Sequence, residues 1–248
     1  MWLQTPRENI TKSSLFNLLF QSSYNDAAKG VRSAYASGRK GYFLGTGSMW
    51  QGRFSKLSVI GDKQAGRTTM FYASFRSQFE KKYRLLMDVV KVPIYVIHVV
   101  RNPFDIIATR LTFSDGPGAP HKLLNSSSPH PARQYNTSAI IIKVERVFAL
   151  AKAVQDMIKA CNLTVLHVHA EELVRDPKGT IQSVCNFLQL DCSADYLQQC
   201  QDKAFTSVSR TRDLVVWSRG MESFVQNRMM DFSFFHGYSF QKDYWTEE

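Results

Sequence analysis

Arg101 stands where an apolar, β-branched run, Ile94–Val100, gives way to Asn102-Pro103, and Thr109 follows it eight residues later. An Arg at such a junction emerges beside the start of a helix, where the helix dipole and a forked donor act together on one anionic group. Thr109 lies about two turns down that helix, within reach of the same oxyanion. The competing reading is a surface Arg that caps the helix and pairs with Asp105, four residues on; spacing leaves both open. Gly61–Thr68 (GDKQAGRT) offers a second phosphate-directed pattern, G-x-x-x-x-G-[K/R]-T after an apolar run, with Arg67 at the position of the usual Lys. Arg replaces a flexible point charge poorly, and no amphipathic helix is expected to start at Thr68. Within that stretch, Lys63 can stabilise a leaving group and Asp62 can accept a proton; alternatively Asp62 is a turn residue satisfying local amides.

The other reactive side chains have quieter readings. His98 lies in the middle of an apolar run and reads as a core histidine, while His167 and His169 flank Val168 and share one face. Glu171 follows a strand end and reads as a cap or ion-pair partner rather than a base. Trp50 and Trp217 suit either stacking on a nucleobase or apolar packing. None of the cysteines, Cys161, Cys185, Cys192 and Cys200, forms a CxxC pair, so no metal site is expected. Cys185 falls at an apolar helical position and is expected as a buried free thiol; Cys192 and Cys200 can pair if the chain is luminal. Asn9, Asn125, Asn136 and Asn162 head N-x-[ST] sequons, although Asn162 is expected to open a buried strand.

The elements that must position these groups follow from periodicity. Three short β-branched runs, Leu57–Ile60, Ile94–Val100 and Leu163–His169, read as strands buried on both faces of a parallel sheet. Helical spacing marks about Tyr24–Ala34, Arg76–Val90, a helix opened by Asn102-Pro103, Ser138–Ala160, and a helix begun by Pro177. Gly116–Asn136, rich in Gly, Pro, Ser and Asn, reads as a long loop. The order predicts one α/β domain over residues 1–248, a three-layer parallel sheet flanked by helices, with residues 1–50 as a helical and loop-like N-terminal part. Ligands of such sheets bind beyond the carboxyl ends of the strands, which directs attention to Gly61–Lys63, Arg101–Pro103 and Ala170–Glu172.

Bulk properties narrow the partners. The 248 residues carry a net charge of +10, which suits a polyanion such as a nucleotide bearing several phosphates. The basic residues are scattered, and neither aromatic RNP stretches nor Cys/His finger spacing occurs, so nucleic acid is not an expected partner. No run is long and apolar enough for a membrane segment.

The junction Arg101-Asn102-Pro103-Phe104-Asp105, with Thr109 eight residues after the Arg, resembles the 3′-phosphate-binding motif of sulfotransferases that use 3′-phosphoadenosine 5′-phosphosulfate (PAPS). Three further stretches are similar to elements of that family in family order. Val59–Lys63 resembles a segment with an acidic residue and a Lys near the transferred group, and His169–Pro177 with Phe187-Leu188 resembles a "YEDL…DP…FL" element. Ser209–Trp217, followed by His236-Gly237-Tyr238, is similar to the stretch that closes over the nucleotide. The likeness covers roughly residues 57–240. It implies a P-loop-like fold, PAPS as co-substrate, Arg101, Thr109, Ser209 and Arg212 as cofactor-binding residues, and Lys63 with Asp62 as catalytic residues. It also implies an acceptor hydroxyl or amine, which the sequence does not identify. The family's 5′-phosphosulfate loop, of the form PKSGTTW, should lie before residue 10; the expectation is therefore a domain lacking its N-terminal strand and phosphate loop, active or a non-catalytic fragment. Nucleotide binding through Gly61–Thr68, as in an NTPase or kinase, is the alternative. The cytoplasm is the default location, and the Golgi lumen follows if a signal anchor precedes the chain.

Overall fold

The computed structural model describes residues 11–28, 31–32, 42–43, 58–61, 63, 66–112 and 131–243. These divide into two units: Met1–Thr68 with Arg76–Pro93, and Thr69–Phe75 with Ile94–Glu248. The chain is α/β.

In the first unit, helix α1 spans Lys12–Ala28. Its start is a reciprocal capping box: Thr11 Oγ1 accepts from the Ser14 amide at 3.1 Å, and Ser14 Oγ accepts from the Thr11 amide at 2.9 Å. Of the helix expected over Tyr24–Ala34, only Tyr24–Ala28 is helical, as the end of α1, and Val31–Arg32 is a strand instead. Val31–Arg32 (β1) pairs antiparallel with Tyr42–Phe43 (β2). Helix α3 spans Arg76–Val90, as its periodicity predicts, with Phe79 stacked on Tyr83 one turn away and Arg76 bonded to Glu80 at 2.9 Å. The strand expected at Leu57–Ile60 is not formed: residues 58–60 have no strand pairing. Helix α2, Arg67–Ser74, nevertheless begins directly after Gly66, whose φ of +90° only glycine adopts freely; from Thr69 onward it is assigned to the second unit.

The second unit is built on two parallel strands, β3 (Tyr95–Val100) and β4 (Thr164–His169), in register from Tyr95 opposite Thr164 to Val100 opposite His169. Between them the chain forms α4 (Pro103–Thr112) and α5 (Thr137–Cys161). Asn136 caps α5 by accepting from the Ser138 amide at 2.8 Å. After β4 come α6 (Ala170–Arg175), α7 (Pro177–Phe187), α8 (Ala194–Lys203), a 3₁₀ turn at Thr211–Leu214, α9 (Arg219–Met229), and a second 3₁₀ turn at Ser233–Phe235. The core joins Val100, Phe104, Ile107 and Leu111 to Val144, Phe148 and Ala151 of α5 and to Val225, Met229, Phe232, Phe234 and Phe235. The aromatic residues of the second 3₁₀ turn meet edge to face at 4.7 Å (Phe234 with Phe235).

Cys185 pairs with Cys192 in a disulfide, so neither the free Cys185 nor a Cys192–Cys200 pair is realised. Local backbone explains the choice. Gln189 takes a left-handed φ of 56°, and the Leu190 amide reaches back to the Cys185 carbonyl at 2.8 Å. This Schellman turn reverses the chain and brings the two Cα atoms to 6.1 Å, within bridging range.

At the other end of α7, Asp176 accepts from the Gly179 amide at 2.9 Å, with Pro177 in the first turn. A Cβ on Gly179 would lie 2.1 Å from Asp176 Oδ2. Asp176→Ala should therefore cost about 1 kcal/mol as a lost cap. Gly179→Ala should fail to gain the ~1 kcal/mol that Ala brings to a helix, yet gain it once Asp176 is also Ala. Chemical denaturation of the two single variants and the double variant reads this sign change directly.

Candidate anion-binding site

Arg101 leaves the end of β3 half-buried. Its Nη2 donates to the Ser209 carbonyl and to Thr211 Oγ1, both at 3.1 Å. The surface-cap reading, in which Arg101 pairs with Asp105, is not realised: Asp105 turns inward and engages Arg212. Thr109 Oγ1 lies 3.0 Å from Thr211 Oγ1. The Arg101 guanidinium and two hydroxyls thus converge, as the spacing of Arg101 and Thr109 suggests. Thr211 is the member that sequence reasoning missed; the alternating hydroxyls of Ser209-Arg210-Thr211 were the available signal.

Proton accounting fixes the roles. Thr211 has one hydroxyl hydrogen, and the Asp105 carbonyl at 2.9 Å takes it. Thr211 Oγ1 therefore accepts from Arg101, and it accepts from Thr109 as well. Nε and Nη1 of Arg101 make no hydrogen bond among the described residues, leaving two donor nitrogens with three N–H groups for an oxyanion. The Thr109 hydroxyl can join them by rotating away from Thr211.

The helix start contributes less than the sequence suggests. Asn102 N donates to Glu171 Oε1 and Phe104 N to Asn102 Oδ1, each at 3.0 Å, and Pro103 has no amide hydrogen. Those early donors are consumed inside the fold, so a bound anion depends on the guanidinium and the hydroxyls. Buried Glu171 also accepts from Tyr238 at 2.5 Å, which makes it a structural acceptor. Burial and the Glu171 charge push the Tyr238 hydroxyl well above its ordinary pKa, so it stays a donor. Asn102 Nδ2 reaches the Ser239 and Lys242 carbonyls at 2.8 and 3.0 Å, tying the strand end to the C-terminal segment.

Arg212 is fully buried. It bonds Asp105 Oδ2 at 2.5 Å and the Phe240 carbonyl at 2.8 Å, and it also pairs with Asp243. Its backbone amide donates to Asp105 Oδ1 at 2.8 Å. The Arg212 side chain therefore fixes the segment that presents Thr211 rather than facing outward. Ser209 contributes its carbonyl, which orients Arg101. Trp217 donates to the Arg212 carbonyl at 3.0 Å and packs edge to face on Phe104 at 5.2 Å, a packing role; Trp50 lies outside the described residues. Lys63 is exposed in the first unit, and Asp62 lies outside the described residues.

A second polar cluster lies along the sheet. His98 and His167 sit opposite in register with their Nδ1 atoms 2.9 Å apart, so one of the two nitrogens must carry the proton and the other must accept it. His98 also packs edge to face on Phe234 at 5.1 Å. Burial, followed by the neighbouring His167 and His169, lowers the pKa of His98 to about 4; burial lowers that of His167 too. His169 bonds Tyr238 at 3.0 Å. No group of side chains able to hold a metal ion occurs among the described residues. No helix among them is long and apolar enough to cross a membrane.

No protein family, curated protein or solved structure matches the chain.

Proposed function

We propose that this protein is a sulfotransferase-like nucleotide binder, in which Arg101, Thr109 and Thr211 receive the 3′-phosphate of PAPS. The sulfuryl group passes to a hydroxyl or amine acceptor. The observation that carries this reading is the convergence of one guanidinium and two hydroxyls at the end of β3, with two Arg101 donor nitrogens still open. That donor set fits a phosphate, which takes a forked cation and short hydroxyl bonds. The order of the motifs over roughly residues 57–240 supports it further. The finer fold that goes with the reading is a three-layer parallel sheet in which β3 and β4 are neighbours.

Sulfuryl transfer needs a base for the acceptor and a cation at the bridging oxygen of the leaving nucleotide. In this reading Lys63 supplies the cation and Asp62 accepts the proton, Ser209 orients Arg101, and Arg212 holds the segment that carries Thr211.

Calorimetric titration with adenosine 3′,5′-bisphosphate and with adenosine 5′-monophosphate tests the proposal. The bisphosphate should bind at least tenfold more tightly. Arg101→Ala should weaken it roughly 10- to 100-fold, the equivalent of one lost charge-assisted hydrogen bond of about 1.5–3 kcal/mol, and abolish the preference. No bisphosphate binding at millimolar concentration would sink the reading and leave a non-catalytic module. Binding of Mg-ATP that depends on Arg67 would instead select the phosphate-loop alternative, which has in its favour the positive φ of Gly66 directly ahead of α2.

A further inference from the structure

Two features far from the anion site bear on where this chain matures. The first is Asn162-Leu163-Thr164, the turn between α5 and β4. Its strand was expected to be buried, yet both anchors of the sequon, Asn162 and Thr164, are exposed. Asn162 adopts φ 46° and ψ 52°, and its backbone amide closes the last turn of α5 onto the Ile158 and Lys159 carbonyls. Asn tolerates this left-handed position better than other residues with side chains. Its side-chain amide makes no hydrogen bond among the described residues, so substitution at Nδ2 would break none. The second feature is the Cys185–Cys192 disulfide, with Cys185 buried. Bridges of this kind form and persist in secretory and extracellular compartments and are rare in the cytosol. Those compartments are also where N-x-[ST] asparagines receive glycans.

We propose that Asn162 is an N-linked glycosylation site and that the chain matures in an oxidising secretory compartment with Cys185 and Cys192 joined. The donor is a lipid-linked oligosaccharide diphosphate: a bond forms between Asn162 Nδ2 and the reducing-end sugar carbon as that carbon's bond to the diphosphate breaks, and the lipid diphosphate leaves while one amide proton of Nδ2 is released. The Asn162 backbone, and with it the helix cap, is untouched. The αL turn projects the attached oligosaccharide from an exposed corner at the head of β4.

The test is peptide mapping of the full natural chain from its own cells. Removal of glycans by peptide-N-glycosidase in heavy-oxygen water should convert Asn162 to labelled Asp. The non-reduced digest should contain a Cys185–Cys192 linked peptide, with Cys161 and Cys200, which form no disulfide, alkylated. Thr164→Val, which leaves the Asn162 cap in place, should abolish the label at Asn162, and Thr164→Ser should retain it. A covered but unlabelled Asn162 peptide from unaltered chain overturns the site. Full alkylation of Cys185 and Cys192 without reduction overturns the compartment.

Discussion

Asp105→Ala is expected to remove about 3–5 kcal/mol of folding stability, the usual cost of stranding one charge of a buried pair. Neither side chain of the Asp105–Arg212 pair reaches solvent. Burial pushes the Asp105 carboxyl above its ordinary pKa, against the pull of the Arg212 charge and backbone amide. Without it, the Arg212 guanidinium keeps Asp243 and the Phe240 carbonyl but faces an empty space where its best acceptor was. The Arg212 amide is orphaned as well. Since whole domains hold only about 5–15 kcal/mol, the variant should unfold at markedly lower urea. Asp105→Leu combined with Arg212→Met should cost less than Asp105→Ala alone, because no guanidinium short of an acceptor remains in the core. A single-variant loss below about 1 kcal/mol would contradict this reading of the pair.

The second large effect is on acid stability. His98 has a pKa of about 4 in the fold against 6.5 for a free imidazole. The folded form is thus depressed, and between those values the unfolded chain binds the extra proton. Stability therefore falls as pH drops from about 6.5 toward 4, by about 3 kcal/mol over the full window. Roughly 2 kcal/mol of this should be gone by pH 5. His98→Gln, which cannot titrate, should show a shallower loss between pH 7.5 and 5 than the natural chain. Urea midpoints at the two pH values decide; parallel profiles for both proteins would show that His98 does not carry the effect.

Local signals in the sequence were strong where the answer was local. Arg76–Val90 is a helix over those residues, and the Ser138–Ala160 helix runs one residue further at each end, to Thr137 and Cys161, where Asn136 and Asn162 cap it. The runs at Ile94 and Leu163 became β3 and β4, but not buried on both faces as expected: Ile97 and Val99 of β3 are exposed. What escaped depends on partners distant in the chain or on one dihedral. Leu57–Ile60 has the composition of a strand, but a strand needs a neighbour to take its hydrogen bonds. Cysteine spacing suggested Cys192 with Cys200 and left Cys185 free; the left-handed Gln189 decided for Cys185 with Cys192. For the site, the Arg101 and Thr109 spacing was legible because both lie at one strand–helix junction. Thr211, and the inward turn of Arg212 onto Asp105, come from a segment about a hundred residues later. No periodicity encodes such a meeting.

That separation has a consequence for synthesis. Asp105 and the Arg212 that neutralises it are 107 residues apart, so at roughly 5–20 residues per second a ribosome makes the second some 5–20 s after the first. During that interval Arg101 and Asp105 exist in the nascent chain without their partners. A message cut short before Thr211 would yield a product with β3, α4 and β4 but no assembled anion site and an uncompensated carboxylate in its core. Such a product is a natural client for quality control, and the cell can sort it from the finished chain by its instability alone.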